Sequence, residues 1–189
     1  MIIGADGLAR GPWAGADPLY LGYHDREWGK EVRGEDALYE RICLEAFQSG
    51  LAWITILRKR ESFRAAFAGF EIAKVAEFGE QDVARLLADE GIVRNRAKIN
   101  AAVANAKAAL ALQGGLTDLI WGHAPKPRAK SRRPRTTAEI PATSPESAAL
   151  AKALKKAGFV FVGPTTAYAL MQACGLVNDH LAACHTYQK

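Results

Sequence analysis

The sequence predicts a single, mostly α-helical domain. Its 189 residues match the size of one ordinary domain. Apolar residues recur at helical spacing along most of the chain. The run FVFV at residues 159–162 alone has the composition of a strand, and it is too short and isolated to build a sheet. With 49% hydrophobic and 24% charged residues, the composition is that of a globular protein and excludes disorder of the whole chain.

The first clear helix is predicted over Asp36–Gln48. Leu38, Ile42 and Ala46 fall on one side of it at helical spacing. Gly50 follows at a position where it can end the helix.

Further helices follow at regular intervals along the chain. Gly91 closes one of them, and Ser144 with Pro145 gives another both a capping residue and a favoured first residue. These predicted helices cover residues 54–67, 81–90, 96–112, 145–157 and 164–171. The helix over 96–112 has the clearest apolar stripe, which consists of Ile99, Val103, Ala106 and Leu110.

Composition also bounds the location of the chain. No apolar run is long enough to cross a bilayer, and the N-terminus has no secretory signal pattern. Cys43, Cys174 and Cys184 are odd in number and far apart, which argues against a disulfide framework. We therefore expect a cytoplasmic protein without membrane contact. We also expect a monomer in which residues 1–12 are flexible and residues 13–189 form the domain.

The net charge of +5 comes from one short segment. It contains six basic residues and no acidic residue: Lys126, Arg128, Lys130, Arg132, Arg133 and Arg135. These residues account for the whole excess of basic over acidic side chains. We predict a flexible loop at about 122–137, which either touches nucleic acid or is merely a solvated charge run.

A glycine-containing turn joins the helices predicted around residues 91–98. The first N–H groups of a helix and its dipole favour phosphate, and Arg94, Arg96 and Lys98 add positive charge there. Gly91 permits the tight turn. The pattern is compatible with a contact to the DNA backbone, but helix pairs closed by glycine more often have a purely structural role.

Aromatic residues and one carboxylate suggest a site for a flat ligand. Trp13, Tyr20, Tyr23, Trp28 and Trp53 are concentrated in the first 53 residues, where they either stack on a nucleobase or pack in the core. Glu45 falls at the edge of an apolar helix face, where burial would raise its pKa. It either binds a cationic or hydrogen-bonding ligand or forms a salt bridge with Arg41 or another basic neighbour.

Three residues could bind a metal ion. His180 and Cys184 lie one helical turn apart, and His24 is the third candidate. Structural zinc sites usually have four such ligands, and the spacing offers no fourth.

Four segments of the chain closely resemble the DNA-3-methyladenine glycosylase I family. They are DPLYLGYHDREWG (17–29), ICLEAFQSGLAWITILRKRESFR (42–64), GIVRNRAKI (91–99) and FVFVGPTTAYALMQACGLVNDH (159–180). The similarity extends from about Trp13 to Cys184. It implies an all-α, helix–hairpin–helix DNA glycosylase fold and the excision of 3-methyladenine from alkylated double-stranded DNA by hydrolysis of the N-glycosidic bond.

The resemblance also assigns roles to individual residues. Glu45 matches the glutamate that contacts the base, and Tyr23 and Trp53 match the rings that stack on it. The remaining pocket residues that it implies are Trp13, Tyr20 and Trp28, and the turn at 91–98 matches the anchor for the DNA backbone. Gly50 and Leu51 match the segment that enters the gap left by the extruded base.

The family's zinc site is incomplete in this sequence. It uses a cysteine together with His24, His180 and Cys184, but Gly11 stands at the position of that cysteine. A structural zinc ion would need water or another side chain as its fourth ligand. No cofactor is expected to be required for the chemistry itself.

Two other functions remain open from the sequence. One is a noncatalytic protein that binds alkylation damage on the same scaffold. The other is a zinc hydrolase built on His24, His180 and Cys184, which would need a general-base motif that the sequence does not contain.

Overall fold

The central helix, α2 (Glu35–Gln48), is buried on most of its circumference. Eight of its 14 residues are buried, including Glu45. It packs against helices on several sides, so that both the core and the candidate site are built around it. The predicted side chains Leu38, Ile42 and Ala46 are all buried.

The computed structural model describes residues 1–126 and 133–188. In addition to α2, its α-helices are α1 (Pro18–Arg26), α3 (Trp53–Ala66), α4 (Ile72–Ala76), α5 (Glu80–Ala88), α6 (Arg96–Ala111), α7 (Gly115–Trp121), α8 (Pro145–Lys156) and α9 (Pro164–Ala173). They enclose one hydrophobic core, so the predicted all-α single-domain fold is confirmed. No helix in these two ranges is long and apolar enough to span a membrane.

The helices predicted from periodicity are confirmed within a few residues at each end. Ser144 caps α8 by accepting a hydrogen bond from the Ser147 N–H, as its position predicted. Leu110 differs from prediction: it is 59% exposed, since no neighbouring element among the described residues covers that position of the α6 stripe.

Three helices were not predicted: α1, α4 and α7. Helix α1 has a recognisable start, because Asp17 accepts a hydrogen bond from the Leu19 N–H and Pro18 is its first residue. The sequence shows no clear apolar stripe for α1, because its aromatic residues face a cavity as well as the core.

The strand predicted at 159–162 is wrong. Asn105 donates a side-chain hydrogen bond to the Val160 carbonyl and accepts one from the Val160 N–H, so a side chain takes the place of a partner strand. The outer residues Phe159 and Val162 are buried, whereas Val160 and Phe161 between them are exposed, which is not the alternation of a strand. Phe161 also has a positive φ of 57°.

The N-terminal residues form a small hairpin, and the flexibility expected for them stays a prediction. Strands β1 (Ile2–Ile3) and β2 (Ala9–Arg10) pair in antiparallel register. Arg10 is buried and forms ion pairs with two carboxylates, and these contacts hold the hairpin against α1. Ion pairs over this distance in sequence are not visible as a periodic pattern.

The basic loop predicted at 122–137 lies partly outside the described residues, because 127–132 are not among them. After this gap the chain is held in place: the Pro134 carbonyl accepts a hydrogen bond from the Ala182 N–H, and a 3-10 turn spans Thr137–Glu139.

Candidate active site

A cavity of about 370 Å³ opens where α1, α2, α3 and α9 meet. This volume lies in the range of small-molecule sites. The lining residues are Trp13, Tyr20, Tyr23, Trp28, Glu45, Gln48, Trp53, Thr137, Ile140, Ala169 and Gln172. The five predicted aromatic residues and the predicted carboxylate therefore lie in one cavity.

Glu45 is the acidic residue of this cavity. It is 6% exposed, and no residue in the described part of the chain donates a hydrogen bond to its carboxyl group. Burial raises the pKa of Glu45 from 4.5 to about 8, although the nearby charge of Arg41 opposes the rise. A buried, unpaired acid at a cavity wall is suited to a cationic, hydrogen-bonding guest.

The alternative interpretation of Glu45, a salt bridge with Arg41 or another basic neighbour, is not found among the described ion pairs. Arg41 instead approaches Glu27, with 3.5 Å between Nη2 and Oε2. Its Nη1 group is buried without a hydrogen-bond partner in the described residues.

The aromatic rings form one connected wall. Tyr23 and Trp53 have ring centroids 5.4 Å apart at an angle of 45°, and Trp13 lies edge-on to Tyr20 at 5.3 Å. Because the rings of Tyr23 and Trp53 already touch, they leave no space for a base between them. A flat guest would lie against their cavity-facing surfaces.

Trp53 offers a second polar group. Its Nε1–H is buried and has no acceptor in the described part of the chain. Since buried indole N–H groups usually find a partner, this one also points to an absent ligand or water.

Sequence reasoning missed five cavity residues: Gln48, Thr137, Ile140, Ala169 and Gln172. Gln172 donates its Nε2–H to Asp179 at 2.9 Å, which fixes the orientation of its amide. Thr137 and Ile140 reach the cavity from the far side of the basic segment, through tertiary packing that no local pattern signals. For Gln48, its position three residues after Glu45 on the same helix was a usable signal.

The turn after α2 is exposed and well fixed. Gly50 has a positive φ of 82°, and Leu51 is 40% exposed. The Gln48 side chain donates a hydrogen bond to the Leu51 carbonyl at 2.8 Å, so the turn is tied to a residue of the cavity.

Lys98, predicted to contact phosphate, has its side chain directed into the protein. The residue is 9% exposed, and its Nζ donates hydrogen bonds to the carbonyls of Phe47 and Ser49 at 2.9 and 2.6 Å. These are carbonyls that the end of α2 leaves without helical partners, and a cation is favoured there. Lys98 thus joins the start of α6 to the turn after α2.

The rest of the predicted phosphate site is exposed at the turn between α5 and α6. Arg94 and Arg96 are 51% and 59% exposed, with loose ion pairs of 3.6 and 3.7 Å to Glu90 and Glu80. Asn95 caps α6 by accepting a hydrogen bond from the Lys98 N–H. A side chain at Gly91 would come within 2.9 Å of Ser62 Cβ, so this close approach requires glycine.

The three predicted metal ligands approach one another but do not form a ligand set. Cys184 Sγ lies 3.6 Å from His24 Nε2, and the rings of His24 and His180 are 4.9 Å apart. Within the described residues, the potential ligand atoms of His24, His180 and Cys184 do not all lie within 4.8 Å of one another. Gly11 supplies no fourth ligand, so these residues do not fit the family's zinc ion.

Among the described residues, the group whose potential ligand atoms do all lie within 4.8 Å of one another consists of His24, Asp25 and His185. Its central carboxylate is already occupied: Asp25 Oδ1 lies 2.8 Å from His24 Nδ1 and 2.9 Å from His185 Nε2.

Together, the fold and the cavity define an all-α protein with a site for a flat, polar guest beside the turn that joins α5 and α6. The sequence profile of the methyladenine glycosylase family matches residues 13–187, and the chain belongs to this family.

Individual relatives agree with this assignment. The chain is 48% identical to DNA-3-methyladenine glycosylase 1 of Escherichia coli, over 95% of this chain and 97% of that protein. A crystal structure of a 3-methyladenine DNA glycosylase I matches with a TM-score of 0.89 and 46% identity, over 94% of this chain and 98% of that one. A Staphylococcus aureus 3-methyladenine DNA glycosylase I, solved to explain its recognition of 3-methyladenine, matches with a TM-score of 0.86 and 34% identity, over 92% of this chain and 93% of that one.

Proposed function

We propose that this chain is a DNA-3-methyladenine glycosylase, which removes 3-methyladenine from alkylated double-stranded DNA. The observation that supports this most directly is the unpaired Glu45 carboxyl group, buried at the wall of an aromatic cavity. Relatives that match nearly the whole chain carry this name.

Selectivity comes from the charge of the lesion. Methylation at N3 makes adenine cationic and weakens its bond to the sugar, so the enzyme has to find and extrude the base more than activate it. The faces of Tyr23 and Trp53 attract a cationic ring more strongly than a neutral one. A cation in the cavity also lowers the pKa of Glu45, so that the carboxyl group ionises and forms a charge-assisted hydrogen bond.

The bond is cleaved by water, and the DNA strand stays intact. Strand cleavage through a Schiff base needs an amine nucleophile at the sugar. No lysine is among the residues described as lining the cavity, and Lys98 is held by two carbonyls. Both observations favour simple hydrolysis, which leaves an abasic site.

The DNA lies across the mouth of the cavity. The turn at Gly50 and Leu51 fills the gap left by the extruded base, while Gly91, Arg94 and Arg96 bind the phosphate backbone through the start of α6. The cytoplasmic location and monomeric state remain predictions from the sequence.

Release of free 3-methyladenine from methylated duplex DNA tests this function. Wild-type protein should release the base in the presence and absence of EDTA without nicking the strand, and Glu45→Gln should release it far more slowly while it binds DNA normally. Binding without release would support a noncatalytic damage-binding protein. Loss of release with EDTA would support the zinc hydrolase.

A further inference from the structure

Arg10 is a buried arginine that the glycosylase site does not use. It is 4% exposed and lies in β2 of the N-terminal hairpin. Its guanidinium group binds the Asp25 carboxylate through Nε and Nη2, at 2.9 and 2.6 Å, and the Asp6 carboxylate through Nη1 and Nη2, at 3.0 and 2.7 Å. A charge this deep in the protein requires such pairing.

Asp25 connects this arginine to the C-terminal segment. Its Oδ1 atom lies 2.8 Å from His24 Nδ1 and 2.9 Å from His185 Nε2, in addition to the bond from Arg10 Nε. With Arg10 Nη2 on Oδ2, the carboxylate has four donors, which is about the number of hydrogen bonds that its lone pairs can accept. Both oxygens of Asp25 therefore have hydrogen-bond partners, and the adjacent guanidinium group repels a metal ion.

The cluster links three parts of the chain that are distant in sequence. Arg10 belongs to the N-terminal hairpin, Asp25 to α1 and His185 to the 3-10 turn His185–Gln188 near the C-terminus. Strand β2 and this turn are also in direct contact. A structural metal ion would join the same regions, since Gly11 stands next to Arg10 and Cys184 next to His185.

We infer that a metal-free cluster of Arg10, Asp25, His24 and His185 links the N-terminal hairpin and the turn His185–Gln188 to α1, in place of a structural zinc ion. The loss of the cysteine at position 11 is compensated by the guanidinium–carboxylate pair, so the protein folds and remains folded without metal. This inference is independent of the proposed glycosylase activity.

Metal content and chelator response test the inference on the unaltered protein. After purification without chelators, elemental analysis should find zinc far below one ion per chain, and neither EDTA nor added zinc should shift the unfolding temperature. Stoichiometric zinc, or a lower unfolding temperature in EDTA, would overturn it.

Variants test whether this cluster stabilises the folded chain. Arg10→Met should lower the unfolding temperature by about 5–10 °C, because it removes one partner of a buried ion pair. Arg58→Met is the matched control: Arg58 pairs with Asp17 at 2.6 Å but is 62% exposed, so its removal should change the unfolding temperature far less.

A double-mutant cycle completes the test. Arg10→Met and Asp25→Asn should be strongly non-additive, since either change alone breaks the same pair. Additive shifts, or an Arg10→Met protein as stable as the Arg58→Met control, would contradict the inference. If a variant fails to fold, the metal content and chelator response of the wild type still decide the question.

Discussion

Ionisation of Glu45 opposes folding, because the carboxyl group is buried without a hydrogen-bond donor. Its pKa is raised from 4.5 to about 8, so between these values the folded chain keeps a proton that the unfolded chain has lost. Wild-type stability should therefore fall as the pH rises from about 4.5 to about 8. Glu45→Gln removes the ionisation, and thermal unfolding at pH 9 should show it about 5–10 °C more stable than wild type.

The comparison at pH 5 is the control, since there the wild-type side chain is neutral and the two proteins should unfold at similar temperatures. Glu61→Gln, at a side chain that is 79% exposed, should show no such pH-dependent gain. An equal difference at both pH values would mean that Glu45 is not a raised-pKa acid.

The same substitution has the opposite effect on activity. In the proposed function an ionised Glu45 forms a charge-assisted hydrogen bond with the cationic base, so its loss should reduce kcat/KM for 3-methyladenine release about 10- to 100-fold. If the ionised form is the one that binds the cation, wild-type kcat/KM should rise with pH toward about 8, whereas Glu45→Gln should show no such rise. Single-turnover assays across this pH range measure both effects.

The proposed stacking of the base on Trp53 can be tested separately from Glu45. Trp53→Leu should lower kcat/KM about 10- to 100-fold through loss of a ring face, and Trp53→Phe should lose less. The matched control is Trp121→Phe, because Trp121 donates its Nε1–H to the Val32 carbonyl at 3.0 Å and does not line the cavity. Equal losses at Trp53 and Trp121 would contradict a stacking role.

Single residues differ in how far the sequence could predict them. Glu45 stood out because a charged side chain on an apolar helix face is anomalous, and the aromatic residues stood out by their density near the N-terminus. Gln172 and Thr137 have ordinary local contexts and line the cavity only because distant helices bring them there. The inward direction of the Lys98 side chain was not predictable, since its charge suggested solvent or phosphate.

At the scale of elements, the end of α2 and the start of α6 form a coupled unit. Lys98 holds the Phe47 and Ser49 carbonyls, and the turn that follows carries Leu51. Lys98→Met leaves these carbonyls unpaired and should loosen the turn. We expect a slower single-turnover release of 3-methyladenine, with the salt dependence of DNA binding unchanged.

The double variant Arg94→Ala, Arg96→Ala should instead change the salt dependence of DNA binding. Both side chains are exposed at the turn before α6, and their loss should weaken binding to damaged and undamaged DNA alike. The slope of log affinity against log salt should become flatter by up to about 2. If Lys98→Met flattened this slope as well, Lys98 would be a phosphate contact after all.

Helices were predictable where local apolar periodicity and capping residues determine where they begin and end. The Asp36–Gln48 pattern lies within one residue of the helix, because apolar periodicity and the following glycine agree. The FVFV segment failed because strand propensity cannot supply a partner strand, and the Asn105 side chain satisfied the backbone instead. The N-terminal hairpin depends on ion pairs with α1, which composition does not reveal.

At the scale of the whole molecule, the net positive charge comes from one segment and not from the helical domain. The helical core is close to electrically balanced, because the basic residues between 126 and 135 account for the entire net charge of +5. Three of them, Arg128, Lys130 and Arg132, lie outside the described residues. The sequence predicts their effect through long-range attraction to DNA, which depends on the number of charges more than on a fixed conformation.

Replacing Arg128, Lys130 and Arg132 by serine should therefore weaken binding to every DNA sequence equally and flatten the salt slope by up to about 3. The rate of base release at saturating protein should not change, since the cavity wall at Thr137 and Ile140 is left intact. Serine substitution of Lys152, Lys155 and Lys156 in α8 is the matched control for net charge, because these lysines do not line the cavity. If both triple variants lost the same affinity, the effect would come from overall charge, whereas a larger loss in the first would place the basic segment against the DNA.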